Sequence, residues 1–234
     1  MENALANSYP KNSKARLDGG RRKLLPRRFF ARDTHEVARD LLGKVLVVRQ
    51  ARGPYEQITA GRIVETEAYM GDDPASHSAT GKTARTSPMF EAAGIAYVYF
   101  IYGMYEMLNF VTEAEHVPGA VLIRAVEPLE GFALMRRRRG PSRRDWTNGP
   151  GRLCRAMGIR MKHNRASLRG PELFVYDDGF RSAAIHVSPR VGITKAIEQE
   201  WRYFIAGNPY VSRSRQNRAA RPWSTPASRK AGRA

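Results

Sequence analysis

The apolar positions of the chain change period several times, and each change marks an element. After Leu25-Pro26, with Phe29 and Phe30 as candidate core anchors, Asp33 takes the place of a helix N-cap, and Glu36 three residues on completes a capping-box pattern. The helix THEVARDLL ends at Gly43, a residue that tolerates the backbone reversal after a helix. KVLVVR then reads as a strand. GRIVETEAY (61–69) is a second strand, whose alternation puts Val64, Thr66 and Ala68 on one face and Ile63, Glu65, Glu67 and Tyr69 on the other. Residues 70–94 carry Gly, Asp, Ser, Thr and Pro without strong periodicity and read as a long loop; such a loop in a compact domain is usually functional or disordered.

The densest strand pattern is AYVYFIYGMYEMLNFV. Residues 96–102 and 105–111 are aromatic and β-branched, and Gly103-Met104 between them suits a two-residue turn with Gly first. Tyr97 and Tyr99 share one face, Val98, Phe100 and Tyr102 the other, with Val98 and Phe100 expected in the core. AVLIRAVE (120–127) is a further strand. PLEGFALMRRRR (128–139) reads as a helix with Pro128 in its first turn and its basic end at the C-terminus. GPGRLCRAMGI (149–159) reads as a short helix. Strands at 172–177 and 184–188, then RVGIT and WRYFIAG, complete the pattern. The fold class is α+β: a single domain with a curved, mostly antiparallel sheet, a protruding hairpin and surrounding helices.

Composition adds a polyanionic partner. The chain of 234 residues has a formal net charge of +18, and such a surplus is expected to meet DNA, RNA or an anionic surface. The charge is unevenly spread: residues 1–30 hold eight Lys or Arg against two acids and residues 213–234 hold seven against none, so these ends carry +13 and the remainder only +5. The domain plan is therefore a disordered basic arm (1–24), a folded domain (25–212) and a disordered basic tail (213–234). One cysteine, Cys154, excludes an intramolecular disulfide and is read as a buried structural thiol. No apolar run approaches a membrane span, and no apolar segment follows the basic N-terminus, so a cytoplasmic protein without a secretion signal or membrane partner is expected, nucleoid-associated if bacterial.

Candidate chemistry starts from Glu65 and Glu67. On one strand face beside Tyr69 they can position a water and keep one carboxylate basic, although most strand glutamates are simply solvated. The hairpin changes the balance, because Tyr102 before the turn, with Met104, has the form of a wedge that fills the gap left by an extruded base. Lys82 and Arg85 in GKTARTSPMF, the arginines 136–139 with Arg143 and Arg144, and the backbone of Gly149, Gly151 and Arg152 in NGPGR offer phosphate contacts; each is equally a solvated face. Five scattered histidines and one cysteine lack metal-ligand spacing, and no nucleotide fingerprint follows a strand, so neither metal nor cofactor is expected. A carboxylate acting on water is what remains.

The blocks RIVETEAYMG, PASHS, AYVYFIYGMYEMLN, LIRAVEPLEG, NGPGRLCRAMGI and PRVGI, in this order, resemble the alkyladenine (3-methyladenine) DNA glycosylase family over residues 24–212. The resemblance implies a monomeric, monofunctional glycosylase acting on double-stranded DNA that contains damaged purines. It implies Glu67 as general base, Arg124 and the carbonyl of Val191 positioning the water, and Tyr69, His77 and Tyr99 sandwiching the flipped base. Tyr102 would enter the duplex, and Asn109 would obstruct the exocyclic amine of guanine. The substrates implied are alkylated or deaminated purines: 3-methyladenine, hypoxanthine, 7-methylguanine and ethenoadenine. The same pocket acting on RNA is one alternative. A non-catalytic nucleic-acid- or damage-binding protein is another, which has no need of Glu67 beside Arg124. A basic RNA-binding protein would explain the charged ends but not the Tyr-rich hairpin in a nearly neutral core.

Overall fold

Strands β2 (Val45–Arg52) and β3 (Tyr55–Met70) form the spine of a ten-stranded antiparallel sheet. They belong to a computed structural model that describes residues 23–52, 54–140 and 145–224. The arm up to residue 22, the run holding Arg143 and Arg144, and residues 225–234 lie outside the described residues. On one edge of β3 its first half pairs with β2 and its second half with β9 (Arg202–Ile205); the other edge pairs with β6 (Gly119–Glu130). The sheet continues from β6 through β5 (Tyr105–Val111) to β4 (Ala96–Ile101). On the other side, β2 leads through β7 (Leu173–Asp177) to β1 (Lys23–Leu24). β8 (Ile185–Ser188) flanks β9, and β10 (Arg221–Pro222) flanks β8. With helices α1 (Arg27–Phe30), α2 (Thr34–Asp40), α3 (Phe132–Arg139) and α4 (Pro150–Met157), the fold is α+β, as the sequence pattern predicts.

Period-two alternation sorts the side chains of the sheet. Val98, Leu108, Phe110, Val121 and Ile123 point to the main core, where they meet Val37 and Ala38 of α2 and Leu153, Ala156 and Met157 of α4. Each fully buried Leu, Ile or Val there stabilises the fold by about 1.5–3 kcal/mol. Cys154 lies in this core, and burial pushes its thiol up, so it is inert packing. Their neighbours Tyr97, Tyr99, Asn109, Leu122 and Arg124 face the opposite way and line a cavity. The expected N-cap is present: the Asp33 carboxylate accepts the Glu36 N–H at 2.9 Å.

Several expectations are corrected. Pro128 sits in β6 opposite Gly61, where a register shift tolerates its missing N–H, and the helix starts only after Gly131. RVGIT is loop, because Val191, Gly192, Ile193 and Thr194 line the cavity instead of pairing with a strand. Segment 70–94 carries two short 3-10 turns, His77–Thr80 and Ser87–Phe90. Phe100 is 48% exposed and outside the core. The hairpin turn is centred on Tyr102-Gly103, both at positive φ (53° and 65°), with the Met104 N–H donating to the Ile101 carbonyl. Residues 213–224 are also folded: a 3-10 turn at Arg215–Ala219, the short β10, and Trp223 packed on the core. A basic composition conceals such order because the partners are all distant in sequence.

Candidate active site

Two compensating bulges build the floor of the cavity. Between Ile63 and Glu65, β3 gains one residue, Val64; between Glu65 and Thr66, β6 gains one, Arg124. The first bulge sends both Ile63 and Val64 into the main core, correcting the simple alternation, and returns Glu65 and Glu67 to the opposite face. The second aims Arg124 between them: its Nε donates to Glu65 Oε1 at 2.9 Å and its Nη1 to Glu67 Oε2 at 3.2 Å.

Both carboxylates are fully buried and depend on partners for their charge. Glu65 accepts Arg202 Nε and the Ser212 hydroxyl on Oε1 and the Ser212 N–H on Oε2, each at 2.7 Å. Burial works to raise the Glu65 pKa, but Arg124, Arg202 and the Ser212 donors outweigh it and hold it below its ordinary value. Arg124 is shifted up: burial opposes its charge, and Glu67 and Glu65 prevail. Glu67 accepts the Val191 N–H on Oε1 at 2.7 Å and the Tyr69 hydroxyl on Oε2 at 2.9 Å. Burial and the adjacent Glu67 charge keep Tyr69 a protonated phenol, able to donate. Glu67 thus lies behind the cavity wall, while its partners Tyr69, Arg124 and Val191 form that wall.

The loop carrying Val191 is fixed by its neighbour Arg190, which is buried, donates to the Ala68 carbonyl at 3.0 Å and makes a two-pronged pair with Asp73. The guanidinium lies 4.6 Å from the Tyr69 ring centroid and 4.8 Å from that of Trp201. Asp73 also accepts the Ala75 N–H at 3.0 Å, so one ion pair ties the Val191 loop to the segment that leads to His77.

The cavity has a volume of about 540 Å³, within the roughly 300–1,000 Å³ of small-molecule sites. Tyr69, His77, Tyr99 and Asn109 all line it. His77 Nδ1 is 3.0 Å from the Tyr97 hydroxyl, and its ring meets Tyr99 edge-on at 4.4 Å. Burial, reinforced by Arg85, lowers the His77 pKa, so the imidazole is neutral at pH 7. The Asn109 amide donates to the Tyr97 carbonyl at 3.1 Å, which fixes it in the cavity wall. Tyr102 lines the mouth and is 75% exposed; Met104, at 62%, stands outside the lining.

The residues expected to contact phosphates have these surroundings. Arg85 sits 5.2 Å from the Tyr99 ring centroid, Lys82 lies 6.0 Å from that of Phe90, and Arg152 pairs with Asp145 at 2.6 Å. Gly149 precedes α4, whose Pro150 borders the cavity. Gly151 has a packing role: a Cβ there would lie 2.8 Å from the Tyr105 ring, so only glycine lets α4 reach the base of the hairpin. Sequence reasoning missed Arg190, Asp73, Arg202, Ser212 and Asn217. An arginine inside the apolar run WRYFI is the sign of a buried pair that could have exposed Arg202. Among the described residues, no group of three or more His, Cys, Asp or Glu is placed to hold a metal ion, and no helix is long and apolar enough to cross a membrane.

Residues 28–209 match the model of a family described as methylpurine-DNA glycosylase. Three bacterial relatives carry the name "Putative 3-methyladenine DNA glycosylase". That of Salinibacter ruber is 46% identical over 80% of this chain and 96% of its own. That of Koribacter versatilis is 46% identical over 82% and 94%, and that of Anaeromyxobacter is 49% identical over 81% and 93%. The class is that of DNA-repair hydrolases acting on N-glycosyl bonds. The chain belongs to the methylpurine-DNA glycosylase family.

Proposed function

We propose that this protein extrudes alkylated or deaminated purines from duplex DNA and hydrolyses their N-glycosidic bond with a water activated by Glu67. 3-Methyladenine and hypoxanthine are the leading substrates, ethenoadenine suits the same cavity, and 7-methylguanine is the poorer substrate because its exocyclic amine meets Asn109. The hydrogen-bonding state of Glu67 carries the reading. A carboxylate has about four lone-pair sites. Arg124, Tyr69 and the Val191 N–H occupy three. The remaining site can take a proton from a water seated at the wall that Arg124 and Val191 form. The water oxygen then bonds to the sugar C1′, the C1′–N bond breaks, the purine leaves with the bonding pair, and Glu67 holds the proton. The Val191 carbonyl adds a second acceptor for that water.

The cavity suits the leaving group. Tyr69 and Tyr99 offer electron-rich faces to a cationic alkylated purine, and a neutral His77 does not repel it. Asn109, fixed by the Tyr97 carbonyl, occupies the space that the exocyclic amine of guanine would need. Tyr102 at the hairpin tip fills the gap in the duplex, with Met104 beside it. Lys82, Arg85, Arg152 and the Gly149 and Gly151 backbone serve the flanking phosphates. The protein acts as a monomer, without a cofactor and without a lyase step. A protein that only binds damage would not need a buried carboxylate–arginine network behind its aromatic cavity.

Single-lesion duplexes test this directly. Wild-type protein should yield strand breaks only after alkali, the mark of an abasic site formed without lyase chemistry. Glu67→Gln should lower base release about 10²–10⁴-fold with duplex affinity retained. Full activity in that variant would overturn the assignment.

A further inference from the structure

The Glu65 carboxylate gets two of its four hydrogen bonds from Ser212, a residue beyond the 28–209 family match. Arg202, the other cation on Glu65, is held from the same side. Its Nη1 donates to Asn217 Oδ1 at 2.9 Å and to the Ser188 hydroxyl at 3.1 Å, and the Asn217 amide turns back to the Ser212 carbonyl at 3.2 Å. The far end of this segment is fastened independently. β10 pairs with β8, the Trp223 N–H donates to the Ile185 carbonyl at 2.9 Å, Arg39 lies 4.9 Å from the Trp223 ring centroid, and Arg221 pairs with Glu200.

We infer that residues 212–223 form a positioning strap for the reaction: Ser212 and Asn217 lock Glu65 and Arg202, and through them set the angle at which Arg124 meets Glu67. The inference rests on Glu67 being the general base. The guanidinium of Arg124 is a rigid plane with one prong on each carboxylate. If Glu65 tilts, the Nη1 prong tilts with it, and the hydrogen bond to Glu67 changes length or is lost. Glu65, Glu67, Arg124, Arg202 and Ser212 are buried, so water cannot replace a donor missing among them, while Asn217 is exposed and closes the network from the solvent side. Ser212, Asn217 and Arg202 touch no reacting atom; their effect passes through Arg124.

The test measures single-turnover excision and lesion-duplex affinity for the full chain with Ser212→Ala, Asn217→Ala and the conservative Ser212→Thr, beside wild type and Glu67→Gln. Ser212→Ala should slow excision roughly 10–100-fold, the scale of a small misplacement of catalytic groups, and Asn217→Ala, whose exposed amide water can partly replace, should slow it by less. Affinity and folded content at the assay temperature should stay at the wild-type level, and Ser212→Thr should recover most of the rate. Wild-type rates in both alanine variants, or rate and affinity falling together, would overturn the strap. A wild type that excises and a Glu67→Gln that does not, with Ser212→Ala unchanged, would remove the strap alone. Full activity in Glu67→Gln, or a wild type that releases no base, would remove both.

Discussion

The floor of the cavity and the tip of the hairpin that overhangs it are built on opposite terms. At the floor, Glu65, Glu67 and Arg202 are fully buried, Arg124 is nearly so, and each is held by donors or acceptors from several elements. At the tip, Tyr102 and Met104 are exposed, and Tyr102 takes a positive φ that costs a bulky residue on the order of 1–3 kcal/mol. The floor is determined by desolvation: no side chain there can move without leaving a charge unpaired. The tip contributes little to the fold, and its strained aromatic is free to serve contact with a partner. In the proposed reaction, precision is needed where the bond is cut, and reach is needed where the duplex is entered.

The largest expected effect breaks the floor. Glu65→Gln leaves Arg124 and Arg202 with a single buried carboxylate, Glu67, between them. Removing one partner from such a network should cost about 3–5 kcal/mol, read as a lower urea midpoint with an unchanged slope. A loss within experimental error would show that the floor relaxes as freely as the tip.

The tip should respond in the reverse sense. Tyr102→Ala removes an exposed side chain and relieves little packing, so stability should stay within about 0.5 kcal/mol of wild type. Excision from duplex DNA should fall by an amount equivalent to about 1–3 kcal/mol, the worth of one aromatic stacking contact with a base. Paired measurements of melting and of single-turnover excision check both halves. A large stability loss would assign Tyr102 to the core and dissolve the contrast.

The same contrast explains what could be read from the sequence. The strands, the Asp33 cap and the tyrosine stripe all follow from local period and capping, because local chemistry sets them. The two bulges do not, since a period-two pattern carries no mark of an extra residue, and they decide that Ile63 joins the core while Arg124 points at two glutamates. RVGIT looks like a strand because five residues alternate, yet its edge meets Glu67 and the cavity instead of a ladder. Segment 213–224 looks like a solvated tail because its charge is local and its partners Arg39, Ile185 and Arg202 are not. The resemblance to a family pointed to Glu67, Tyr69 and Arg124; Arg202 and Ser212, which hydrogen-bond to the neighbouring Glu65, became visible only in three dimensions.

The smallest effect separates floor from rim by pH. His77 has a folded pKa below its ordinary 6.5, through burial first and Arg85 second. Below that ordinary value the unfolded chain binds more protons than the folded one, so the stability contributed at the rim is present at higher pH and is lost as pH falls through 6.5. Glu65 also has a lowered pKa, but it is an acid. Its contribution is present above its ordinary 4.5 and is lost only as pH falls below that, through its folded value. The rim should therefore weaken as pH falls below 6.5, while the floor holds down to 4.5. Arg85→Ala sharpens the distinction, because it removes the secondary cause and should move the His77 titration upward, toward 6.5, without touching the Glu65 network. Titration of the His77 ring by NMR, alongside unfolding from about pH 3 to pH 8, with histidine the side chain that changes charge between about pH 5 and pH 8, would read both. A His77 titration unchanged in Arg85→Ala would detach the rim's electrostatics from that arginine.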